Sequence, residues 1–335
     1  MQEALVKPAG ARSAPAGSPA HAPLVELRRG GMVEGVHHGS VVVLSPSGDV
    51  TFSLGDVEAP IYPRSAAKPL QAATLARLGV DLPPALLALA GASHSGEQVH
   101  LDGARSVLHG IGLTEADLGN PADLPYDAVE RDRWVAAGRG PSKLAHNCSG
   151  KHAAMLRTVL RNGWDRGGYL AIDHPLQQAV AETVAELTGA DSPHVAVDGC
   201  GAPLFAMSLT GLARAVGRLA AAPDGTAEAA VAAAYRDSPE MVAGTRRDTT
   251  ALMRAVPGLV AKDGFEAVQV AALPDGTALA LKIADGNDRA RLPVTLAALA
   301  HAGVDVEALR PHLPASGFPT TGPDGLALTA ALTLR

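Results

Sequence analysis

Only six lysines stand among the 28 basic residues of this 335-residue chain: Lys7, Lys68, Lys143, Lys151, Lys262 and Lys282. Arginine is effectively never deprotonated, whereas a desolvated lysine amine can lose its proton and act as a base, so each lysine kept against this arginine bias is a candidate for chemistry. Ser65-Ala-Ala-Lys68 places a hydroxyl and an amine three residues apart, on one face of a helix. In that arrangement the lysine can activate the serine as a nucleophile. The same letters also describe an ordinary helix N-cap at Ser65 followed by a surface lysine.

Three further segments carry polar groups at suggestive positions. Ser93-His94-Ser95-Gly96-Glu97 reads as a turn that supplies one hydroxyl, because sequence-adjacent Ser and His side chains diverge and do not make a triad. Ala261-Lys262-Asp263-Gly264 is a strand lysine followed two residues later by a glycine, the residue used where a ligand or another backbone comes close. Lys282, in Leu281-Lys282-Ile283-Ala284-Asp285-Gly286, fits a second such strand equally well as the exposed member of an alternating pattern.

The two cysteines lie in similarly polar, glycine-rich contexts, His146-Asn147-Cys148-Ser149-Gly150-Lys151-His152 and Asp198-Gly199-Cys200-Gly201. Two such turns point to a shared site, with buried free thiols and a disulfide as the competing readings. Thiolates beside an Asp can hold a soft divalent metal such as zinc, but two Cys fall short of the usual four ligands. A His, an Asp, a water or a neutral Lys has to complete the set.

The elements that position these groups follow from periodicity. Residues 1–23 are dominated by Ala, Pro, Gly and Ser, and read as a mobile tail. Folding is expected from about Leu24, with Val41 to Leu44 and Val50 to Leu54 forming a hairpin about Ser47-Gly48-Asp49. Apolar spacing then predicts helices over 65–78, 83–90, 99–108, 150–162, 176–187, 204–219 and 225–255. From Gly258 onward two strands joined by Asp275-Gly276 are expected, then a closing helix over 292–302. Strands, many helices and strands again imply an α+β domain: an antiparallel sheet built from both chain ends, about 24–64 and 256–335, with a helical lobe over about 65–255 inserted.

Bulk properties exclude several classes. A net charge of −6, a pI near 6.0 and no cluster of Lys and Arg leave no electrostatic footprint for nucleic acid or an anionic membrane. No stretch reads as a membrane span or a secretory signal, so a cytoplasmic location is expected.

The motifs RSAAKP, ASHSGE, HNCSGKH, DGCGAP, AKDGFE and ALKIADG, in this order, resemble the bacterial asparaginase family typified by the inducible Rhizobium etli enzyme. That family is distinct from the periplasmic and the N-terminal-nucleophile asparaginases, and the likeness runs from about Leu24 to the C-terminus. It implies a fold like the serine β-lactamases and glutaminases, a homodimer, and hydrolysis of L-asparagine to L-aspartate and ammonia through an acyl-enzyme. On this resemblance Ser65 is the nucleophile and Lys68 its base, with Ser93 and Lys262 a second Ser-Lys pair. Lys262-Asp263-Gly264 takes the place of a Lys-Thr-Gly strand motif, while Cys148, Lys151 and Cys200 match zinc ligands with Asp198 close by. Ser95 competes with Ser93, and Lys282 with Lys262. By charge and position, Arg64 and Asp198 are candidates to hold the substrate's α-carboxylate and α-amine, joined by Ser95 and Asn147. The rival readings are a glutaminase or β-lactam-type hydrolase with the same Ser-x-x-Lys chemistry, and a non-catalytic amino-acid-binding relative.

Overall fold

The computed structural model describes residues 19–318 and 326–330. The chain enters through β1 (Ala22–Arg29), β2 (Met32–Leu44) and β3 (Val50–Leu54). A 3-10 turn, Arg64–Ala67, runs into α1 (Lys68–Arg77), followed by α2 (Pro84–Ala90), α3 (Gln98–His109), α4 (Ala128–Ala136), α5 (Ser149–Arg161) and α6 (Pro175–Thr188). A two-stranded ribbon, β4 (Val195–Val197) and β5 (Pro203–Phe205), precedes α7 (Leu209–Ala220), α8 (Ala227–Asp237), α9 (Pro239–Val242) and α10 (Asp248–Ala255). The chain then returns to the sheet with β6 (Val260–Gly264), β7 (Val268–Ala272) and β8 (Ala278–Ile283), covers it with α11 (Arg291–His301), and adds β9 (Leu326–Ala330).

The main sheet runs β6-β7-β8-β2-β1-β9, with β3 also on β2, and every pairing is antiparallel. Strands from the two chain ends meet where β2 pairs with β8, Val41 facing Leu281 and Val43 facing Leu279. That junction is buried on both faces, because α7 packs on one side and α11 on the other, so Val41 to Leu44 can be apolar throughout. The expected α+β plan, an antiparallel sheet from both ends around a helical insertion, is therefore the observed one. Among the described residues no helix is long and apolar enough to cross a membrane.

Several local expectations change. β1 starts at Ala22, two residues before the expected boundary, and the rest of the tail, 1–18, lies outside the described residues. Ser65 is not an N-cap: it sits inside the 3-10 turn, and α1 begins at Lys68 without a side-chain cap. The apolar run 260–272 is two strands, not one. Its bend falls at Glu266 and Ala267, both in the left-handed region at φ 64° and 52°, where no glycine announces a turn. Pro239 and Gly244, the latter at φ 135°, divide the single helix expected over 225–255 into three. The start of the helix expected at 204 is instead strand β5, and α4 and β9 were not anticipated.

One glycine brings the sheet edge to the 3-10 turn. A Cβ on Gly264 would lie 2.4 Å from the Pro63 carbonyl oxygen and 3.0 Å from the Ala66 nitrogen, so only glycine lets β6 lie this close to Ser65. Gly264→Ala is expected to cost about 1–3 kcal/mol, seen as a lower urea midpoint at unchanged m-value; an unchanged midpoint would contradict this packing.

Candidate active site

The turn that carries Ser65 is strained by its neighbour. Arg64 holds φ 51°, a conformation that costs a non-glycine residue on the order of 1–3 kcal/mol. Ser65 itself is half-buried, and its hydroxyl has no hydrogen-bond partner among the described residues. Three residues on, the Lys68 amine is buried and spends three donors at once, on the Ala92 carbonyl at 2.7 Å, the Ser93 hydroxyl at 2.9 Å and the Cys148 sulfur at 3.0 Å. Lys68 thus joins the Ser93 turn to the cysteine motif.

The choice between the paired candidates follows from the sheet. Lys262 lies on edge strand β6, opposite Val270, and that strand packs directly on the Ser65 turn. Its amine donates to both the backbone oxygen and the carboxylate Oδ1 of Asp263, each at 2.8 Å. Burial pulls the Lys262 amine down to about 8, opposed by Asp263 and assisted by the charge of Lys68. Lys282 lies two strands away, and its amine is occupied with the carbonyls of Glu266 (2.7 Å) and Ile283 (2.8 Å), closing the β6–β7 bend. Ser95 is fully buried against Gly244, and its hydroxyl has no partner. Ser93 and Lys262 are therefore the members of each pair that face the Lys68 neighbourhood.

Arg64 and Asp198 are found bonded to each other, Nε to Oδ1 at 2.7 Å. The Arg64 guanidinium also lies 5.2 Å from the centre of the Phe265 ring, which is 57% exposed. The two charges expected to hold a substrate's two termini thus neutralise one another beside Ser65. Asn147 is half-buried, and its side-chain oxygen accepts from the Cys148 thiol at 3.1 Å.

Behind Lys68 the two cysteines meet in one buried cluster with Ala202 and are unlinked. α5 starts immediately after Cys148, so Lys151 comes round one turn later and donates to the Cys200 sulfur at 3.1 Å. The two thiols share an ionisation. The neighbouring Cys148 thiol and the Lys151 charge draw Cys200 far down, overcoming burial, while Cys200 and burial push Cys148 up. His152 completes the pocket. Tyr169 accepts from the Gly119 N–H at 2.9 Å and lies 2.7 Å from His152 Nδ1, so its single proton goes to that nitrogen. Burial lowers His152 to about 4, opposed by the Cys200 sulfur beside it, and keeps it neutral.

Among the described residues no group of three or more His, Cys, Asp and Glu side chains is arranged to hold a metal ion. A cation at the two sulfurs would require Lys151 as its third donor, in the neutral form. Two sulfurs and an amine, all buried, are donors of a kind that zinc takes.

Sequence reasoning passed over Arg247 and the carboxylate of Asp263. Arg247 donates to Asp263 Oδ2 and, at 3.4 Å, to the Ser93 carbonyl. In a chain this rich in arginine, one more arginine carries no signal by type, and the contact joins residues far apart in sequence.

Hydroxyls set against buried amines equip a site for serine-type acyl transfer. The sequence matches the family model of L-asparaginase II over residues 25–318, and the chain belongs to that family. No curated protein matches it significantly in sequence. Among solved structures, Mglu in its native form is similar at 14% identity and a TM-score of 0.35, over 80% of this chain and 63% of Mglu. EstCE1, a hydrolase with promiscuous acyltransferase activity, is similar at 13% identity and a TM-score of 0.35, over 81% of this chain and 91% of EstCE1. At these scores neither structure bears on the chemistry; that rests on the family and on the site itself.

Proposed function

We propose that the protein hydrolyses the side-chain amide of L-asparagine to L-aspartate and ammonia, with Ser65 as nucleophile. The observation that carries this reading is the convergence of two buried lysine amines, Lys68 and Lys262, on the segments bearing Ser65 and Ser93, in a member of the L-asparaginase II family. Lys68 acts as the base that takes the Ser65 proton as the serine oxygen bonds to the amide carbon. The proton passes through the Ser93/Lys262 pair to the departing nitrogen, the C–N bond breaks, and ammonia leaves an ester on Ser65. Water then cleaves the ester, with the neutral amine of Lys262 accepting its proton and returning it to the Ser65 oxygen as the C–O bond breaks. Lys68 contacts Ser93 directly, so the two Ser-Lys pairs act as one relay rather than as separate dyads.

The Arg64–Asp198 pair suits a zwitterionic substrate. An incoming α-carboxylate replaces Asp198 on the guanidinium, and an α-ammonium replaces Arg64 on the carboxylate, so neither charge is left unpaired. Cys148, Lys151 and Cys200 would hold zinc. When bound, the ion supplies a Lewis-acidic centre and fixes the cysteine motif against which Lys68 rests.

Ammonia release should be measured with L-asparagine and L-glutamine, alongside hydrolysis of a β-lactam reporter. Asparagine turnover is expected to dominate and to fall at least about a thousandfold in Ser65→Ala; unchanged turnover in that variant, or faster glutamine or β-lactam hydrolysis, contradicts the reading. The neutral fraction of Lys262 grows as pH rises, so kcat/KM should climb with a midpoint near 8, and Lys262→Arg should abolish that limb because arginine keeps its proton. For the metal, elemental analysis after zinc loading is expected to give about one zinc per chain, more firmly held as pH rises because the amine must first lose its proton. Equal zinc retention by Lys151→Arg would remove the amine from the ligand set.

A further inference from the structure

Arg247 stands immediately before α10, where three parts of the site come within reach of one guanidinium. The group lies 4.7 Å from the centre of the Tyr126 ring, and its Nη1 donates to the carbonyl of Ser93 at 3.4 Å. Its Nη2 donates to Oδ2 of Asp263, whose other oxygen accepts from Lys262. The Arg247 and Asp263 side chains are only 12% and 10% exposed, and Lys262 is fully enclosed. One buried carboxylate is therefore shared by two cations.

Neutralising Asp263 needs only one of them, and Lys262 already sits against it. A second cation on the same carboxylate leaves the trio with a surplus positive charge in a poorly solvated place, where such a surplus is costly. Of the two, only the lysine can discharge it, because arginine holds its proton at any ordinary pH. The charged groups facing Lys262 are Asp263 on β6, Arg247 ahead of α10 and Lys68 on α1, and both other cations act in the same direction.

We propose that Arg247 is a positioning residue: by occupying one oxygen of Asp263 while gripping the Ser93 carbonyl, it ties the Ser93 turn to the Lys262 strand and makes Lys262 the cation that gives up its proton. This rests on the reading of Lys262 as a proton carrier in the proposed hydrolysis. Arg247 itself touches no reacting atom. Removing it has a definite sign. The carboxylate is then held by Lys262 alone and a repelling charge is lost, so the lysine keeps its proton to higher pH. Removing the Asp263 charge does the opposite.

With only six lysines in the chain, the test is a pH titration of the intact protein labelled with 13C at the lysine ε-carbon, Lys262 being assigned as the resonance missing from Lys262→Met. Arg247→Gln is expected to raise the Lys262 midpoint by about one pH unit or more, and Asp263→Asn to lower it. Arg247→Lys should return it toward the wild-type value. An unmoved midpoint in Arg247→Gln, or shifts of the same sign in Arg247→Gln and Asp263→Asn, overturns the proposal. Asp263→Asn carries the test if Arg247→Gln does not fold, since a midpoint that fails to fall there overturns it equally. The pH profile of kcat/KM for asparagine, taken on the same variants, separates the two claims. A limb that moves with the midpoint supports both, whereas a midpoint that moves under a fixed limb sustains the Arg247 clamp and removes Lys262 from the proton path.

Discussion

Burying an ammonium group costs several kcal/mol unless charge and hydrogen bonds offset it, and this protein buries three within one connected region. Lys68, Lys151 and Lys262 are 1%, 1% and 0% exposed. Each is compensated differently: Lys68 by a carbonyl, a hydroxyl and a thiol, Lys151 by a sulfur, and Lys262 by a carboxylate. Those differences set what each amine can do. Lys151 faces the ionised member of the thiol pair, which outweighs burial and holds its proton on. For Lys262 burial prevails over its carboxylate, with the charges of Lys68 and Arg247 acting in the same direction, and pulls the amine down to about 8. Lys68 is the link, reaching the hydroxyl of one motif and the sulfur of another.

The fold exists around that region in a specific sense. Lys262 reaches it because β6 is an edge strand, and β6 can approach the Ser65 turn because residue 264 has no side chain. Lys68 reaches it because α1 starts at that residue, directing its side chain toward Ala92 and Ser93. Lys151 reaches it because α5 begins two residues earlier, at Ser149. The sheet needs both ends of the chain, since β8 pairs with β2. The site is therefore assembled only when the sequence-distant halves of the sheet have closed on the helical insertion.

Much of this was legible from residue types. The scarcity of lysine pointed to Lys68, Lys151, Lys262 and Lys282 alike, because type alone distinguishes a lysine from its arginine background. The sheet at the two chain ends and the helices between them follow from runs such as Val41 to Leu44 and from the apolar spacing of α5 and α7. Three things were hidden for physical reasons. Lys262 and Lys282 occupy similar strand contexts, and only the register of β6, β7 and β8 separates an edge lysine facing the site from one that closes a bend. The bend itself uses Glu266 and Ala267 at positive φ, which no residue preference signals. The pairing of Arg64 with Asp198, and of Arg247 with Asp263, spans residues 134 and 16 apart in sequence, which charge counting cannot match up.

The central claim is that the acyl group is carried by Ser65, although the hydroxyl resting against the Lys68 amine is that of Ser93. Rapid quenching of the protein with a slowly turned-over asparagine analogue, followed by intact mass measurement and peptide mapping, tests this directly. The account predicts a single added aspartyl group on the peptide containing Ser65, absent in Ser65→Ala and retained in Ser93→Ala. An adduct on Ser93 or Cys148 instead would contradict it.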